Sequence, residues 1–243
     1  MTSKWRSILT LKLSNAPTIT PSSIRLLQLN CGKNNNVMQG CLETAVHTAD
    51  IVLLQEPWVG AWSKENGAYT MSSHCSFDLL LPRGHNNNRI KPRVATFVSR
   101  SLSHLKVNPR PDIFDDPYVQ VLEVSAVGHD SFLLFNIYNE RYPDTQQYTM
   151  ERLFTDYSFP TTNTIVVGDM NAHHPWWNGR IEIEKHASTL VSKMEAGHFH
   201  LLNEPDAPTF FQYRSATHSL YESVLDLSFC SMDLIEHPYH ASI

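Results

Sequence analysis

Apolar residues in this 243-residue chain fall into short blocks separated by polar turns. IRLLQLN (Ile24–Asn30) and IVLLQEP (Ile51–Pro57) are runs of strand length, and Pro57 stops the second. Between them Val37, Cys41, Leu42, Ala45 and Val46 recur at helical spacing and predict an amphipathic helix over 37–48. Strand, helix, strand implies neighbouring strands covered by a helix. RVATFVSR (Arg93–Arg100), VQVLEVSAV (Val119–Val127) and SFLLFNIYN (Ser131–Asn139) carry the β-branched and aromatic bias of strands, and GHDS (Gly128–Ser131) predicts a hairpin turn. Tyr148, Met150, Leu153 and Phe154 predict a helix over Thr145–Tyr157. NTIVVGD (Asn163–Asp169) predicts a buried strand, 187–198 a helix, and His200–Asn203 and Ser223–Phe229 short strands. Residues 1–22 are Ser/Thr/Pro-rich and predict a loose tail or a marginal first strand, leaving 23–243 as one domain. The pattern as a whole predicts an α/β protein with two packed sheets flanked by helices.

Composition narrows the class. Hydrophobic residues make up 42% and charged residues 18%, which is globular rather than disordered. No apolar run approaches the ~20 residues of a membrane span, and Lys12 interrupts the apolar stretch of the N-terminus, against a secretory signal. The four cysteines lie far apart with no CxxC, which points to a reduced, intracellular protein. Net charge is −5, so any hold on nucleic acid must rest on a local basic patch or on metal ions. Arg83, Arg89, Lys91 and Arg93, in and beside the polar loop 82–92, form such a patch in sequence; an ordinary solvated loop has the same look.

Five places can carry chemistry. Asn30 closes the first apolar run, either as a turn former or as a site residue. Glu56 follows a buried run, where α/β sheets place ligands, and a carboxylate there suits Mg²⁺. In GDMNAHHPWW (Gly168–Trp177), Asp169 and Asn171 face one side if the strand persists; the acid can accept a proton and the amide can donate to developing charge. His173 and His174 lack the spacing of a paired helical ligand set and also fit plain loop packing. Asp226 is an acid within an apolar strand and therefore calls for a partner. Tyr138 alone reads as core.

Taken in order, Asn30, Gln55-Glu56, NIYN with Tyr138, GDMN with Asp169 and Asn171, and Ser223-x-x-Asp226 resemble the endonuclease/exonuclease/phosphatase family. More narrowly, VVGDMNAHHPWWNG and LLNEPDAPTFF followed by SVLDLSF resemble the endonuclease domain of a non-LTR retrotransposon, over about residues 24–235. The resemblance implies a DNase I-like four-layer α/β sandwich with two mostly antiparallel sheets. It implies Mg²⁺ (or Mn²⁺) bound by Glu56 with Asn30 near it, and Asp169 orienting the attacking water. It also implies Asn171 and Tyr138 at the scissile phosphate, Asp226 orienting a histidine, and His173 with the basic patch holding substrate. The partners implied are DNA, not membrane, and a reverse transcriptase in a longer polyprotein; the place of action is the nucleus.

One departure stands out. The family ends with a Ser-Asp-His segment, whereas LSFCSMDLIEHPYHASI follows Asp226, with His237 and His240 outside the family pattern. The last strand, which carries that histidine, is expected to be missing. Loss of a general acid or base lowers rates by about 10²–10⁴, so the resemblance implies impaired activity in this chain. A fragment of a polyprotein and a repurposed, inactive nucleic-acid- or protein-binding copy both fit. A phosphatase or phospholipase of the same superfamily shares the metal chemistry and is the alternative enzyme.

Overall fold

A computed structural model describes residues 7–12, 23–65, 67–82, 90–102, 105–126, 129–156, 159–179, 183–215 and 218–236. The first sheet has strands β1 (Ser7–Lys12), β2 (Ser23–Asn30), β3 (Ile51–Gln55), β6 (Phe77–Leu80) and β7 (Val94–Ser99), in the order β1-β2-β3-β7-β6. Two short strands, β4 (Trp62–Ser63) and β5 (Ala68–Tyr69), pair beside it. The second sheet takes β8 (Leu105–Pro109), β9 (Val119–Ala126), β10 (Phe132–Tyr138), β11 (Thr164–Asp169), β12 (Phe199–Leu201) and β15 (Asp226–Ser231), in the order β12-β15-β11-β10-β9-β8. Each sheet holds one parallel pair, β2 with β3 and β10 with β11; the other pairings are antiparallel. The remaining hairpin, β13 (Phe210–Arg214) with β14 (Ser219–Ser223), stands apart from both sheets.

Period-two alternation sorts the side chains into layers. Leu26, Ile51, Leu53, Leu122, Leu134, Ile165 and Val167 meet between the sheets. Leu27, Val52 and Leu54 turn outward onto helix α1 (Asn35–Thr48), which buries Met38, Cys41, Leu42 and Ala45. Asn34 starts this helix by accepting the Asn36 and Val37 N–H groups on its side-chain oxygen. The outer face of the second sheet packs Phe135, Val166 and Phe229 against α2 (Thr149–Asp156) and α3 (Lys185–Ala196). A short α4 (Met232–Glu236) follows β15. Two sheets between helical layers is the expected architecture.

Three boundaries differ from the pattern. The Ser/Thr/Pro-rich opening contributes β1, the marginal strand of the two expectations. The helix expected from Thr145 begins at Thr149, because Gln146 sits at φ 58° and Arg141 bridges to Tyr148. The single strand expected over Ser223–Phe229 is two. Thr209 Oγ1 accepts the N–H groups of both Leu225 and Asp226, and there the chain leaves β14 for β15. Asp226 therefore opens a strand rather than sitting inside one. Among the described residues no helix is long and apolar enough to cross a membrane.

None of the four cysteines is in a disulfide; Cys31, Cys41 and Cys230 are buried and Cys75 is exposed. Burial, with Asp233 nearby, pushes the Cys230 thiol up to about 12, and the thiolate is the reactive form. Ellman's reagent is expected to titrate Cys75 quickly in the folded protein and the other three only on denaturation. Four fast thiols without denaturant would contradict this packing.

Candidate active site

The columns of side chains between the sheets change character toward one end. On β2 the inward column runs Leu26, Gln28, Asn30; on β3, Ile51, Leu53, Gln55; on β10, Leu134, Asn136, Tyr138; on β11, Ile165, Val167, Asp169. Each begins apolar and ends polar. A buried network spans the middle and last rungs: Gln28 Nε2 donates to Gln55 Oε1 (3.4 Å), Gln55 Nε2 to Asn136 Oδ1 (2.7 Å), and Thr96 Oγ1 to Gln120 Oε1 (2.7 Å). Asn136 Nδ2 donates to the Ala95 carbonyl at 3.1 Å. Gln28 Oε1 and Gln120 Nε2 are left without a partner among the described residues, while the paired amides link the two sheets at the level of the polar ends.

Glu56 leaves β3 at φ 44°, a left-handed conformation uncommon outside glycine. Its N–H donates to the Arg93 carbonyl and its own carbonyl accepts the Lys33 N–H, both at 2.8 Å. The carboxylate Oε1 lies 2.9 Å from Lys33 Nζ and 3.5 Å from Arg93 Nη1. Burial opposes its ionisation, but Lys33, the Tyr138 hydroxyl and Arg93 together outweigh burial and hold its pKa below the ordinary value. Tyr138 is buried, stacked on Tyr118 and flanked by Arg93. Burial, then the charges of Glu56, Glu140 and Asp169, push its phenol above the usual range, so the hydroxyl remains a donor.

Asp169 ends β11, 5% exposed. Its Oδ2 accepts from Asn30 Nδ2 at 2.6 Å and its Oδ1 from the Asn171 N–H at 3.0 Å. The same-side argument for Asp169 and Asn171 fails because the strand stops at Asp169. Asn171 turns to φ 43°, and the pair is joined instead by a local side-chain-to-backbone bond. Asn171 Nδ2 donates to the Asn139 carbonyl (3.1 Å), and Asn139 donates to the Met170 carbonyl (2.7 Å). Asp226 sits opposite Asp169 in the β11–β15 register, and its Oδ1 accepts from Gln28 Nε2 at 3.1 Å. Asn30, Glu56, Tyr138, Asp169, Asn171 and Asp226 are thus gathered at one end of the sandwich.

The basic patch divides. Arg83 and Arg89 lie outside the described residues. Lys91 donates to the Val59 carbonyl and sits over Tyr69. Arg93 belongs to the site itself, bridging Glu56 and Glu140. His173 Nε2 meets Ser223 Oγ at 3.1 Å and the Tyr221 hydroxyl at 3.3 Å, while Nδ1 lies 3.2 Å from Glu184. Both ring nitrogens are engaged within the protein, so its contacts tie β14 to the loop after β11. His237 and His240 lie outside the described residues.

Residues 132–242 match the family described as endonuclease-reverse transcriptase. Over the whole fold the chain is similar to the endonuclease domain of TRAS1, a telomere-specific non-LTR retrotransposon, with 22% identity, a TM-score of 0.62 and 86% of each chain covered. The fold is that of the DNase I-like endonucleases. Lower similarity is found to an endonuclease/exonuclease/phosphatase family protein from Leptotrichia buccalis, with 9% identity, a TM-score of 0.47, and 86% and 87% of the two chains covered. TDP2 from C. elegans follows with 12% identity, a TM-score of 0.43, and 86% and 64% covered. A comparison with the curated proteins finds no match.

A DNase I-like endonuclease fold implies a divalent metal, and the residues present suit one. Glu56 is a nearly buried carboxylate that already gathers two cations. With Asn30 and Asp169 beside one another, the available donors are oxygens, which suit Mg²⁺ or Mn²⁺ rather than soft metals. Among the described residues no three His, Cys, Asp or Glu converge on a cage; Mg²⁺ typically needs only one or two carboxylates, with water and phosphate completing its shell. Pattern reading passed over Lys33, Asn139 and the Gln28–Gln55–Asn136 network. The signal for the network was there, in polar residues recurring every second position at the ends of apolar strands.

Proposed function

We propose that the domain is a divalent-metal-dependent endonuclease that nicks DNA by phosphodiester hydrolysis. The observation that supports it is the meeting of Glu56, Asn30, Tyr138, Asp169, Asn171 and Asp226, drawn from four strands and two loops, at the end of the sandwich that the buried amide network braces. Mg²⁺ or Mn²⁺, held by Glu56 with Asn30 near it, would supply charge to offset the phosphate. Asp169, fixed on both oxygens by Asn30 and Asn171, positions the attacking water and takes its proton. The protonated Tyr138 hydroxyl and the Asn171 amide donate to phosphate oxygens as charge builds. Lys33 and Arg93 place positive charge at the Glu56 carboxylate of this net acidic chain. In a longer parent protein with a reverse transcriptase, the 3′-hydroxyl at the nick would serve as primer, which places the reaction in the nucleus.

The test is relaxation of supercoiled plasmid with Mg²⁺ and with EDTA. Wild-type protein is expected to nick only with metal, and Glu56→Gln to lose that activity by about 10²-fold or more while keeping its circular dichroism spectrum. Metal-independent nicking, or full activity in Glu56→Gln, would overturn the proposal. Hydrolysis of a phosphoinositide or sphingomyelin without DNA cleavage would move the substrate to the phosphatase and phospholipase branch. DNA binding without cleavage at high protein concentration would make the domain a repurposed binder.

A further inference from the structure

The contact between Lys33 and Glu56 is unusual in how it is held. Gly32 and Lys33 both take left-handed backbone, at φ 53° and 57°, one residue beyond the end of β2. For a lysine this conformation is disfavoured, and it persists because the Lys33 N–H is bonded to the Glu56 carbonyl. Three non-glycine residues of the site, Lys33, Glu56 and Asn171, share this backbone state. For Lys33 and Glu56, which are not residues that favour this state, the geometry is set by the surroundings rather than by local preference. The turn therefore pins the Lys33 backbone beside the carboxylate on which its own ammonium rests, 2.9 Å from Oε1.

The two cations on Glu56 differ. Arg93 is also bound to Glu140 and lies over the Tyr138 ring, and it is mostly buried. Lys33 is 57% exposed in its side chain, and among the described residues Glu56 is its one carboxylate partner. A flexible four-carbon stem lets its ammonium leave without disturbing the backbone. Arg93 is part of the frame, and Lys33 is the exchangeable charge.

We propose that Lys33 is a tethered cation that competes with a divalent cation for the Glu56 carboxylate and, when displaced, turns its ammonium to a phosphate of the bound DNA. The inference rests on the metal-dependent reading above. It makes Lys33 a substrate-binding residue whose availability depends on the metal, and it couples metal occupancy to the grip on DNA: the protein holds DNA with one more charge when the metal is present.

Lys33→Met is the informative variant, because methionine keeps much of the length and meets the same backbone penalty. Lys33→Arg restores the charge. Titration calorimetry with Mn²⁺ is expected to show metal binding roughly two- to fivefold tighter in Lys33→Met than in wild type, with Lys33→Arg close to wild type. Duplex binding is then measured by fluorescence anisotropy over a range of KCl, in an Asp169→Asn background that blocks turnover. With saturating Mn²⁺ the salt slope of Lys33→Met is expected to be smaller by about one than that of the Lys33 protein; in EDTA the two slopes are expected to agree. Mn²⁺ binding in both proteins with equal or weaker affinity in Lys33→Met overturns the exchange and leaves the metal reading standing, as do salt slopes indifferent to metal. Absence of Mn²⁺ binding in wild type and Lys33→Met alike overturns both.

Discussion

Asp169→Ala is expected to lower the Mg²⁺-dependent nicking rate by about 10²–10⁴, the range associated with losing a positioned general base. Plasmid relaxation under single-turnover conditions measures it. The structure says why a gentler change is no gentler. Both Asp169 oxygens accept, one from Asn30 Nδ2 and one from the Asn171 N–H. In Asp169→Asn one of those contacts becomes donor against donor, and in Asp169→Ala both donors lose their acceptor. A fully buried unmet donor costs about 1–3 kcal/mol; these two are part-buried, so both variants should unfold at modestly lower urea. Asn30→Ala separates the two effects. It removes the 2.6 Å contact but leaves the carboxylate, and should lose less activity than Asp169→Ala. Equal losses would mean that the carboxylate needs Asn30, through this contact or beside the metal, to contribute to the rate. Wild-type activity in Asp169→Ala would remove it from the mechanism.

Trp177→Ala is the substitution expected to damage the fold most. Trp177 is fully buried in the layer outside the second sheet, and its Nε1–H donates to the Ala172 carbonyl at 3.1 Å. Its ring adjoins His174 and Trp176, so it pins the loop that follows Asp169 and carries Asn171. Truncating a buried tryptophan costs about 3–5 kcal/mol, a large share of the roughly 5–15 kcal/mol that holds a domain folded. Each kcal/mol lowers the midpoint by about 2–4 °C at this size, so a thermal melt should drop by roughly 6–20 °C. Trp177→Phe, which keeps most of the apolar surface and loses only the N–H donor, should fall by less. A melt of Trp177→Ala within 2 °C of wild type, to use about the smallest single-kcal effect, would show that the loop is not anchored there.

The site's dependence on backbone is sharpest at Gly168. A Cβ on that residue would lie 2.1 Å from the Ile137 carbonyl oxygen on the neighbouring parallel strand. The glycine of GDMN is thus there for the close approach of β10 to β11, which brings Tyr138 level with Asp169 in the register.

The two-sheet class, most strands and α1 were legible in the sequence because burial imposes its period directly on the residue pattern: two for strands, 3.6 for the helix. Asn30, Glu56 and Asp169 stood out because each closes or follows an apolar run, but Tyr138 read as core and Asp226 as lying inside a strand, and the six were grouped by resemblance to a family rather than by periodicity. Pairing is another matter, because it depends on contacts distant in sequence. No local pattern says that Gln28 reaches Asp226, 198 residues away, or that Gln55 reaches Asn136 across the sheets. Nor does it say that Lys33 rests on Glu56 or that Arg93 leaves its basic neighbours to bridge two acids. The split of Ser223–Phe229 at Asp226 was hidden as well, because the hydroxyl that enforces it belongs to Thr209 in another segment. Alternation along each strand determined which residues face the gap between the sheets. Only the stacking of those strands, which brings polar ends of separate columns to one level, decided that they form a single charged site.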